Sequence, residues 1–296
     1  MPSGPRNLAS NICPMNSSYD TKTIQMMKRL RFSLLLCVLL AFSPRAGAQC
    51  TFRNTAFTSG EYLTYNLYYN WKFVWLKAGT ASMSIVNTTY KGNKAYRASL
   101  TTRGNSRADK IFIMRDTLLC YVSQEMAPLY FRKGALEGNR YRVDEVFYSY
   151  PGIGAYVKQH RMDADGEHHW QQHNYQDCVY DMLSIFLRAR SFNPANWKAG
   201  YVVNFPMVDG NNRENAQLRF HGRSKVKADN GHTYYCLELS YMEFAKDRWK
   251  EIVRFYVTDD ANHIPVRLDM FLRFGSAKAF LVSMKGNNSK VTSLVR

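Results

Sequence analysis

The sequence predicts a mainly β protein, built as a curved antiparallel sheet or partly open β-barrel with one central amphipathic helix over about residues 177–190. Most segments alternate apolar and polar residues with period two, which is typical of half-buried strands, and turn residues separate them at close spacing. The stretch 177–190 instead lacks Gly and Pro and is apolar around most of its helical circumference. Because such a helix must be covered by other structure, we expect the strands to curl around it.

The chain before the helix is predicted to form a series of strands. In the first, Leu63, Tyr65 and Leu67 alternate with Thr64 and Asn66. Further strands are predicted at 81–85, 96–100, 118–122, 129–132, 141–150, 155–162 and 167–175. The dipeptide 165–166, Asp-Gly, predicts the hairpin turn before the last of these, because both residues tolerate positive φ.

The chain after the helix returns to the strand pattern. Asn193-Pro194 is predicted to end the helical region. Strands are predicted at 201–208, 216–222, 234–244, 250–258, 266–274 and 277–281. Asn230-Gly231 and Gly275-Ser276 are the turns expected between neighbouring strands, and Pro265 suits a strand start. Meanders of this length must close or wrap to hide their edges, which favours a barrel-like shape.

The helix carries one polar stripe, formed by Asp177, Asp181, Ser184 and Arg188. Asp177 is a candidate N-cap or first-turn residue. Two carboxylates one turn apart could share a proton or bind a cation, whereas the serine would need a base such as histidine to become a nucleophile. The structural alternative, which we favour, is that Arg188 partners Asp181 or Ser184 within a nearly buried helix.

A second set of candidates faces the predicted interior. Glu61 shares the inward register of the first strand with Leu63 and Tyr65, so it needs a donor such as an arginine from elsewhere in the chain. The aromatic strand residues suit the wall of a cavity for an amphipathic or glycan-like ligand, and equally the packing of a large β core. The candidate ligand-facing residues are Glu61, Tyr65, Trp71, Leu183 and Phe186.

A histidine group near the 165–166 turn is a weak candidate for metal binding. It consists of His160, His168, His169 and His173. His169 and His173 share a face of a strand but would lie about 13 Å apart, too far for one ion unless the strand bends. An exposed polar hairpin tip explains the same residues, and we predict no cofactor.

Residues 1–48 are predicted to be a signal peptide and leader, with Met26 or Met27 as the start, and 49–296 a single exported β-rich domain. A basic segment precedes the apolar run 32–42, and cleavage is expected near Ala48. We therefore expect the mature protein in the periplasm or outside the cell. Lipid anchoring at Cys50 is disfavoured, because the bulky polar Gln49 precedes it.

The cysteines and the net charge limit which disulfides and which binding partners the protein could have. Cys50, Cys120, Cys178 and Cys236 follow the leader, and three disulfide pairings remain open, as does a free buried thiol at Cys178. The net charge is +17, of which six basic residues and one acid lie in 1–48, leaving +12. For an exported protein this favours lipid, acidic glycan or an envelope protein over nucleic acid, and leaves peripheral membrane contact open. The interpretation we favour is that the scattered basic residues keep a β-rich surface soluble and protect its edges.

The order and spacing of several short motifs resemble the exported bacterial family called domain of unknown function 3108. The motifs are Gly60-Glu61-x-Leu63-x-Tyr65, Gly79-x-Ala81, Asp181-x-x-Ser184, Ile264-Pro265-Val266-Arg267 and Phe274-Gly275-Ser276-Ala277-Lys278-Ala279. The resemblance runs from about Phe57 to Lys285. It implies a β-rich envelope protein with no established activity, and it supplies no catalytic residues.

Three functions are consistent with the sequence. We favour a noncatalytic envelope module that binds an apolar or amphipathic ligand, or an envelope partner, beside the helix. A second hypothesis is a hydrolase that acts on envelope glycan or peptide through paired carboxylates such as Asp177 and Asp181. A third is a structural accessory of an envelope complex. The first predicts an apolar cavity between helix and sheet, and the second predicts two exposed carboxylates in a cleft.

Overall fold

The computed structural model describes residues 50–71, 74–110, 112–152, 154–272 and 275–295. The predicted leader and its cleavage site lie outside these ranges. The strands are β1 (Glu61–Trp71), β2 (Val74–Tyr90), β3 (Asn93–Gly104), β4 (Met114–Ser123), β5 (Pro128–Glu137), β6 (Arg140–Ser149), β7 (Ala155–Met162), β8 (His168–Tyr175), β9 (Val202–Asp209), β10 (Asn212–Lys227), β11 (Thr233–Ala245), β12 (Arg248–Thr258), β13 (Pro265–Phe271) and β14 (Ser276–Lys285). Helix α1 spans Met182–Ala189, and a short 3-10 helix spans Ala108–Lys110.

All fourteen strands belong to one antiparallel sheet. Its order is β8-β7-β6-β5-β4-β3-β2-β1-β14-β13-β12-β11-β10-β9. The first and last strands of the chain therefore pair at the centre of the sheet, and β8 and β9, which flank α1 in sequence, form its two edges. The predicted mainly β architecture with one helix is confirmed for the described residues.

The two edges of the sheet approach each other without joining in a ladder. The side chain of Gln159 on β7 donates to the carbonyl oxygens of Gly210, in the turn between β9 and β10, and of Asn212, at the start of β10, at 2.5 and 3.3 Å. The guanidinium of Arg213 lies 5.2 Å from the ring centre of Tyr175 on β8. The sheet therefore curls into an open, barrel-like wall, which leaves a concave inner face for the helix.

Helix α1 is shorter than predicted, because it begins at Met182 with Asp181 as its N-cap rather than at Asp177. The preceding backbone is already paired with strand β9. The N–H of Tyr180 donates to Pro206 O at 3.1 Å, and Val208 N–H donates to Tyr180 O at 2.9 Å. A parallel bridge to an edge strand holds this segment extended, so the helix cannot start earlier.

The expectation that other structure covers the helix is confirmed. Leu183 and Leu187 pack in a large apolar cluster with residues of β1–β7, β9–β11, β13 and β14, and Ile185 packs in a second cluster with β9–β12. Met182 is the exposed apolar position, with 43% of its surface accessible. None of the helices in the described ranges has the length and hydropathy that crossing a membrane requires.

Candidate functional site

An apolar cavity of about 290 Å³ lies between α1 and the concave face of the sheet. The helix contributes Met182, Leu183, Ile185, Phe186 and Ala189 to its wall. The sheet contributes Tyr65, Leu67, Ala81, Met83, Leu100, Thr102, Phe205, Met207, Leu218, Leu237, Leu239, Tyr241, Glu243, Ile252, Val253, Phe255, Val257, Pro265, Leu268, Met270 and Ala279. Because almost all of these surfaces are hydrocarbon, the cavity suits an apolar body.

The two tyrosine hydroxyls on the cavity wall already have partners. Tyr65 donates from its hydroxyl to Pro265 O at 3.1 Å, and burial raises the pKa of Tyr65. Tyr241 donates to Glu243 Oε1 at 2.9 Å, and burial followed by that carboxylate raises the pKa of Tyr241. Both phenols stay neutral and engaged, so they leave little polar recognition for an occupant.

An ion pair lies at one corner of the cavity, where the end of α1 meets β1, and its Arg190 forms part of the cavity wall. The guanidinium of Arg190 donates to both carboxylate oxygens of Glu61, at 2.5 and 2.8 Å, and to Asn262 O at 2.9 Å. Glu61 is only 1% exposed and Arg190 3%. The predicted need of Glu61 for a distant arginine is thus met, and its carboxylate is not available to a ligand.

The ring of His263 completes this corner. Its Nδ1 lies 2.5 Å from the carbonyl oxygen of Arg190, and burial lowers the pKa of the imidazole. A carbonyl oxygen can only accept, so neutral His263 carries its proton on Nδ1. The backbone carbonyl oxygen of Arg190, at the C-terminus of α1, thereby has a hydrogen-bond donor.

The N-terminus of α1 is a capping box built by Asp181 and Ser184. Asp181 Oδ1 accepts from the backbone N–H groups of Leu183 and Ser184, at 3.0 and 2.9 Å, and Ser184 Oγ accepts from Asp181 N–H at 3.1 Å. Tyr148 donates to Asp181 Oδ2 at 3.1 Å. Burial raises the pKa of Asp181 to about 6, although these donors oppose the shift. Because Asp181 is buried and its oxygens cap the helix, its role is to stabilise the start of α1.

The predicted polar stripe is not one surface. Asp177 is exposed and lies outside the helix. Arg188 does not partner Asp181 or Ser184, as the sequence suggested, but donates to Cys50 O at 3.2 Å, and its guanidinium stacks 4.4 Å from the ring centre of Phe52. The physical reason is that the N-terminal segment crosses the outer side of the helix and offers carbonyl oxygens and an aromatic face there.

A disulfide between Cys50 and Cys178 fixes that segment beside the helix, across 128 residues of sequence. Cys120 and Cys236 are free and buried. The bond settles the open pairing, and burial raises the pKa of both free thiols, which keeps them protonated.

The candidate ligand-facing residues divide into two groups. Tyr65, Leu183 and Phe186 line the cavity. Glu61 lies behind it in the ion pair, and the side chain of Trp71 is outside the described part of the structure. Sequence reasoning missed the role of Arg190, whose signal was its position as the exception on an otherwise apolar stretch.

The histidines do not form a four-residue site. His160 Nε2 and His168 Nδ1 lie 2.8 Å apart, and His160 Nδ1 lies 2.8 Å from Glu145 Oε2. His169 pairs with Asp163 instead, and His173 contacts Gln171. The described residues contain no group of three ligands that could hold a metal. The reason is the strand period, which sends His169 and His173 to the face opposite His168.

Residues of the sequence motifs have structural roles: they form an ion pair, a hydrogen bond from a tyrosine hydroxyl to a backbone carbonyl, and a helix capping box. A family model described as "Protein of unknown function (DUF3108)" matches residues 64–282. The chain belongs to this family. The predicted resemblance is therefore confirmed, and the family description names no activity.

The comparison with solved structures supports the architecture of this DUF3108 protein. The crystal structure of a β-barrel-like protein of domain of unknown function DUF1849 from Brucella abortus superposes with a TM-score of 0.50 and 11% identity, covering 78% of this chain and 98% of that chain. At this identity the match shows a shared fold alone. A search of curated proteins gave no match.

Proposed function

We propose that this DUF3108 protein is a noncatalytic, exported envelope protein that binds an apolar or amphipathic ligand between α1 and the sheet. The observation that carries the proposal is the cavity of about 290 Å³ with its hydrocarbon wall. Tightly packed interiors contain few voids larger than a water molecule, so a space of this size is an exception in a folded domain. An occupant that buries apolar surface there gains hydrophobic free energy without having to match polar groups.

The size of the cavity limits the ligand. Apolar cavities of about 150 Å³ take up benzene, and small-molecule sites begin at about 300 Å³. A volume of about 290 Å³ fits one slender apolar group, such as a single acyl chain, better than a lipid with several chains. Met182 lies on the cavity wall and is 43% exposed, so it marks a route by which a polar headgroup could remain in solvent.

Two observations support an exported location. Disulfides such as that between Cys50 and Cys178 persist in oxidising compartments and are rare in the cytosol. The sequence of residues 27–48 also has the basic, apolar and small-residue order of a signal peptide. We place the mature protein in the periplasm or outside the cell, and cell fractionation tests this location.

The two alternative functions have less support. A hydrolase with paired carboxylates needs both groups in an open cleft, and Asp181 is fully buried under its own helix. A purely structural accessory of an envelope complex would gain stability from a filled interior, and it gives no reason for the void.

A displacement assay tests the binding proposal. The wild-type protein is expected to enhance the fluorescence of the apolar dye N-phenyl-1-naphthylamine, and palmitate is expected to displace the dye. Ala279→Leu places a larger side chain in the cavity wall and is expected to weaken dye binding about tenfold or more. The matched control is Ala261→Leu at an exposed position, which should bind like the wild type.

Two results would contradict the proposal: a wild-type protein that does not bind the dye, or equal binding by Ala279→Leu and Ala261→Leu. Native mass spectrometry of protein purified from its own envelope complements the assay, because a retained ligand would be weighed directly.

A further inference from the structure

Four neighbouring connections at one end of the sheet form a continuous rim. In a meander, every second connection lies at the same end, and the strand order places β3–β4, β1–β2, β13–β14 and β11–β12 side by side. We call this edge the hairpin rim. It consists of the described residues in 74–77, 104–114, 244–250 and 270–278.

The hairpin rim concentrates the exposed apolar side chains of the molecule. Among the described residues, sixteen large hydrophobic side chains are exposed, and nine of them lie on this rim. The nine are Val74, Trp75, Leu76, Phe112, Ile113, Phe244, Trp249, Phe271 and Leu272. Exposed apolar side chains concentrated on neighbouring connections favour an interaction site over ordinary scatter.

Cationic side chains are interleaved with these apolar groups. The exposed bases of the rim are Lys77, Arg107, Lys110, Lys246, Arg248 and Lys250. The ammonium of Lys278 lies 4.3 Å from the ring centre of Trp75. The acids on the same connections are Asp109, which is paired with Arg115, and the exposed Asp247, so the basic residues outnumber them. The hairpin rim is therefore both apolar and positively charged.

We propose that the hairpin rim docks this protein onto a lipid bilayer surface that contains anionic headgroups. Aromatic rings prefer the interfacial region of a membrane, and lysine and arginine near the surface are attracted to anionic lipids. The exposed side chains stand on hairpin tips, so they can enter the headgroup layer without unpairing the ladder. The positive charge is complementary to the anionic surface, which selects lipid as the occupant.

The rim also adjoins part of the cavity wall. Glu243 and Met270 line the cavity, and their chain neighbours Phe244 and Phe271 stand exposed on the rim. A docked protein would hold the cavity close to the bilayer from which an acyl chain could enter. This link rests on the proposed function, whereas docking stands on the rim residues alone.

Vesicle flotation tests the proposal with the full mature chain. The wild type is expected to float with vesicles of phosphatidylcholine and phosphatidylglycerol, and much less with phosphatidylcholine alone. Trp75→Ser with Phe271→Ser is expected to weaken this binding about tenfold or more, and Lys77→Glu with Arg248→Glu similarly. The control is Tyr62→Ser with Tyr235→Ser, which removes two exposed rings from the opposite end of the sheet.

Three outcomes would overturn docking. The wild type could fail to float, both rim variants could float as well as the wild type, or the opposite-end control could lose as much vesicle binding as the rim variants. Sedimentation equilibrium is a separate test. A wild-type dimer that Trp75→Ser with Phe271→Ser abolishes would assign the rim to a second copy of the chain instead of a bilayer. Dye binding separates this proposal from the binding proposal, because the rim variants should retain the fluorescence response even if docking fails.

Discussion

Glu61 and Arg190 form a bidentate, buried ion pair although 129 residues separate them in the sequence. The pair ties the start of β1 to the C-cap of α1, and Arg190 also donates to Asn262 O in the loop before β13. Three distant parts of the chain therefore meet at one corner of the cavity. Because both charges are desolvated, each depends on the other.

Breaking this pair should be strongly destabilising. Glu61→Gln leaves the guanidinium of Arg190 buried without a counterion, and we expect a loss of about 3–5 kcal/mol in the free energy of unfolding. Urea denaturation at neutral pH measures it. The double variant Glu61→Leu with Arg190→Met removes both charges and should recover most of the loss, whereas a Glu61→Gln variant as stable as the wild type would show that the pair is solvated.

The buried carboxyl of Asp181 should make stability depend on pH. Its folded pKa of about 6 lies above the ordinary aspartate value of 3.8, so the folded state holds the proton more tightly than the unfolded state. The resulting stabilisation is full below about pH 4 and is lost as the pH rises through about 6. Asp181→Asn keeps an oxygen for the cap and removes the charge, so its stability relative to the wild type should increase from pH 4 to 7.

Urea unfolding of both proteins across this pH range measures the effect, and the expected gain at neutral pH is on the order of 2–3 kcal/mol. Ser184→Ala is the control, because it weakens the same capping box without removing a titrating group. A constant difference between Asp181→Asn and the wild type at all pH values would show that Asp181 does not titrate in this window.

The disulfide should contribute substantially to stability. The bond between Cys50 and Cys178 closes 128 residues of sequence, and loops of that size correspond to about 3–5 kcal/mol. Cys50→Ser with Cys178→Ser is expected to lose that amount and to become insensitive to reductant. Cys120→Ala with Cys236→Ala should keep its response to reductant. If reduction leaves the unfolding midpoint of this control unchanged, the disulfide is absent or without effect.

Gly79 should not tolerate a side chain, because a Cβ at this position would lie 2.1 Å from the carbonyl oxygen of Arg103 on β3. We expect Gly79→Ala to lower the free energy of unfolding by about 1–3 kcal/mol through this overlap. Gly152→Ala is the matched control, since nothing lies within 4 Å of its added Cβ. Equal thermal midpoints for the two variants would contradict the close approach.

Local sequence patterns predicted the strands and the presence of the helix, and distant contacts decided the rest. The alternation of Leu63, Tyr65 and Leu67 predicted β1 because burial follows the strand period. The start of α1 depends on a bridge between Tyr180 and Met207, which periodicity along the helix does not reveal. The disulfide partner and the arginine for Glu61 likewise depend on tertiary pairing.

The strand order also depends on long-range pairing that local sequence patterns do not reveal. Turn residues predicted that neighbours in sequence pair, as at Asn230-Gly231. The pairing of β1 with β14, which places both ends of the domain at the centre of the sheet, has no local signal. The cavity depends on that long-range curvature, so the sequence could name wall residues such as Tyr65 and Phe186 without fixing the volume between them.

Filling the cavity should stabilise the ligand-free protein. Ala279 lies on the wall and is 5% exposed, and the void of about 290 Å³ offers more room than the three carbons that leucine adds to alanine. Ala279→Leu is therefore expected to gain about 0.5–2 kcal/mol in urea unfolding, because it buries methyl groups without displacing neighbours. The same change at Ala98, which is buried outside the cavity, should destabilise by overpacking. Opposite signs for the two variants identify the void in solution, and a loss of stability in both would mean that the interior near Ala279 is closely packed.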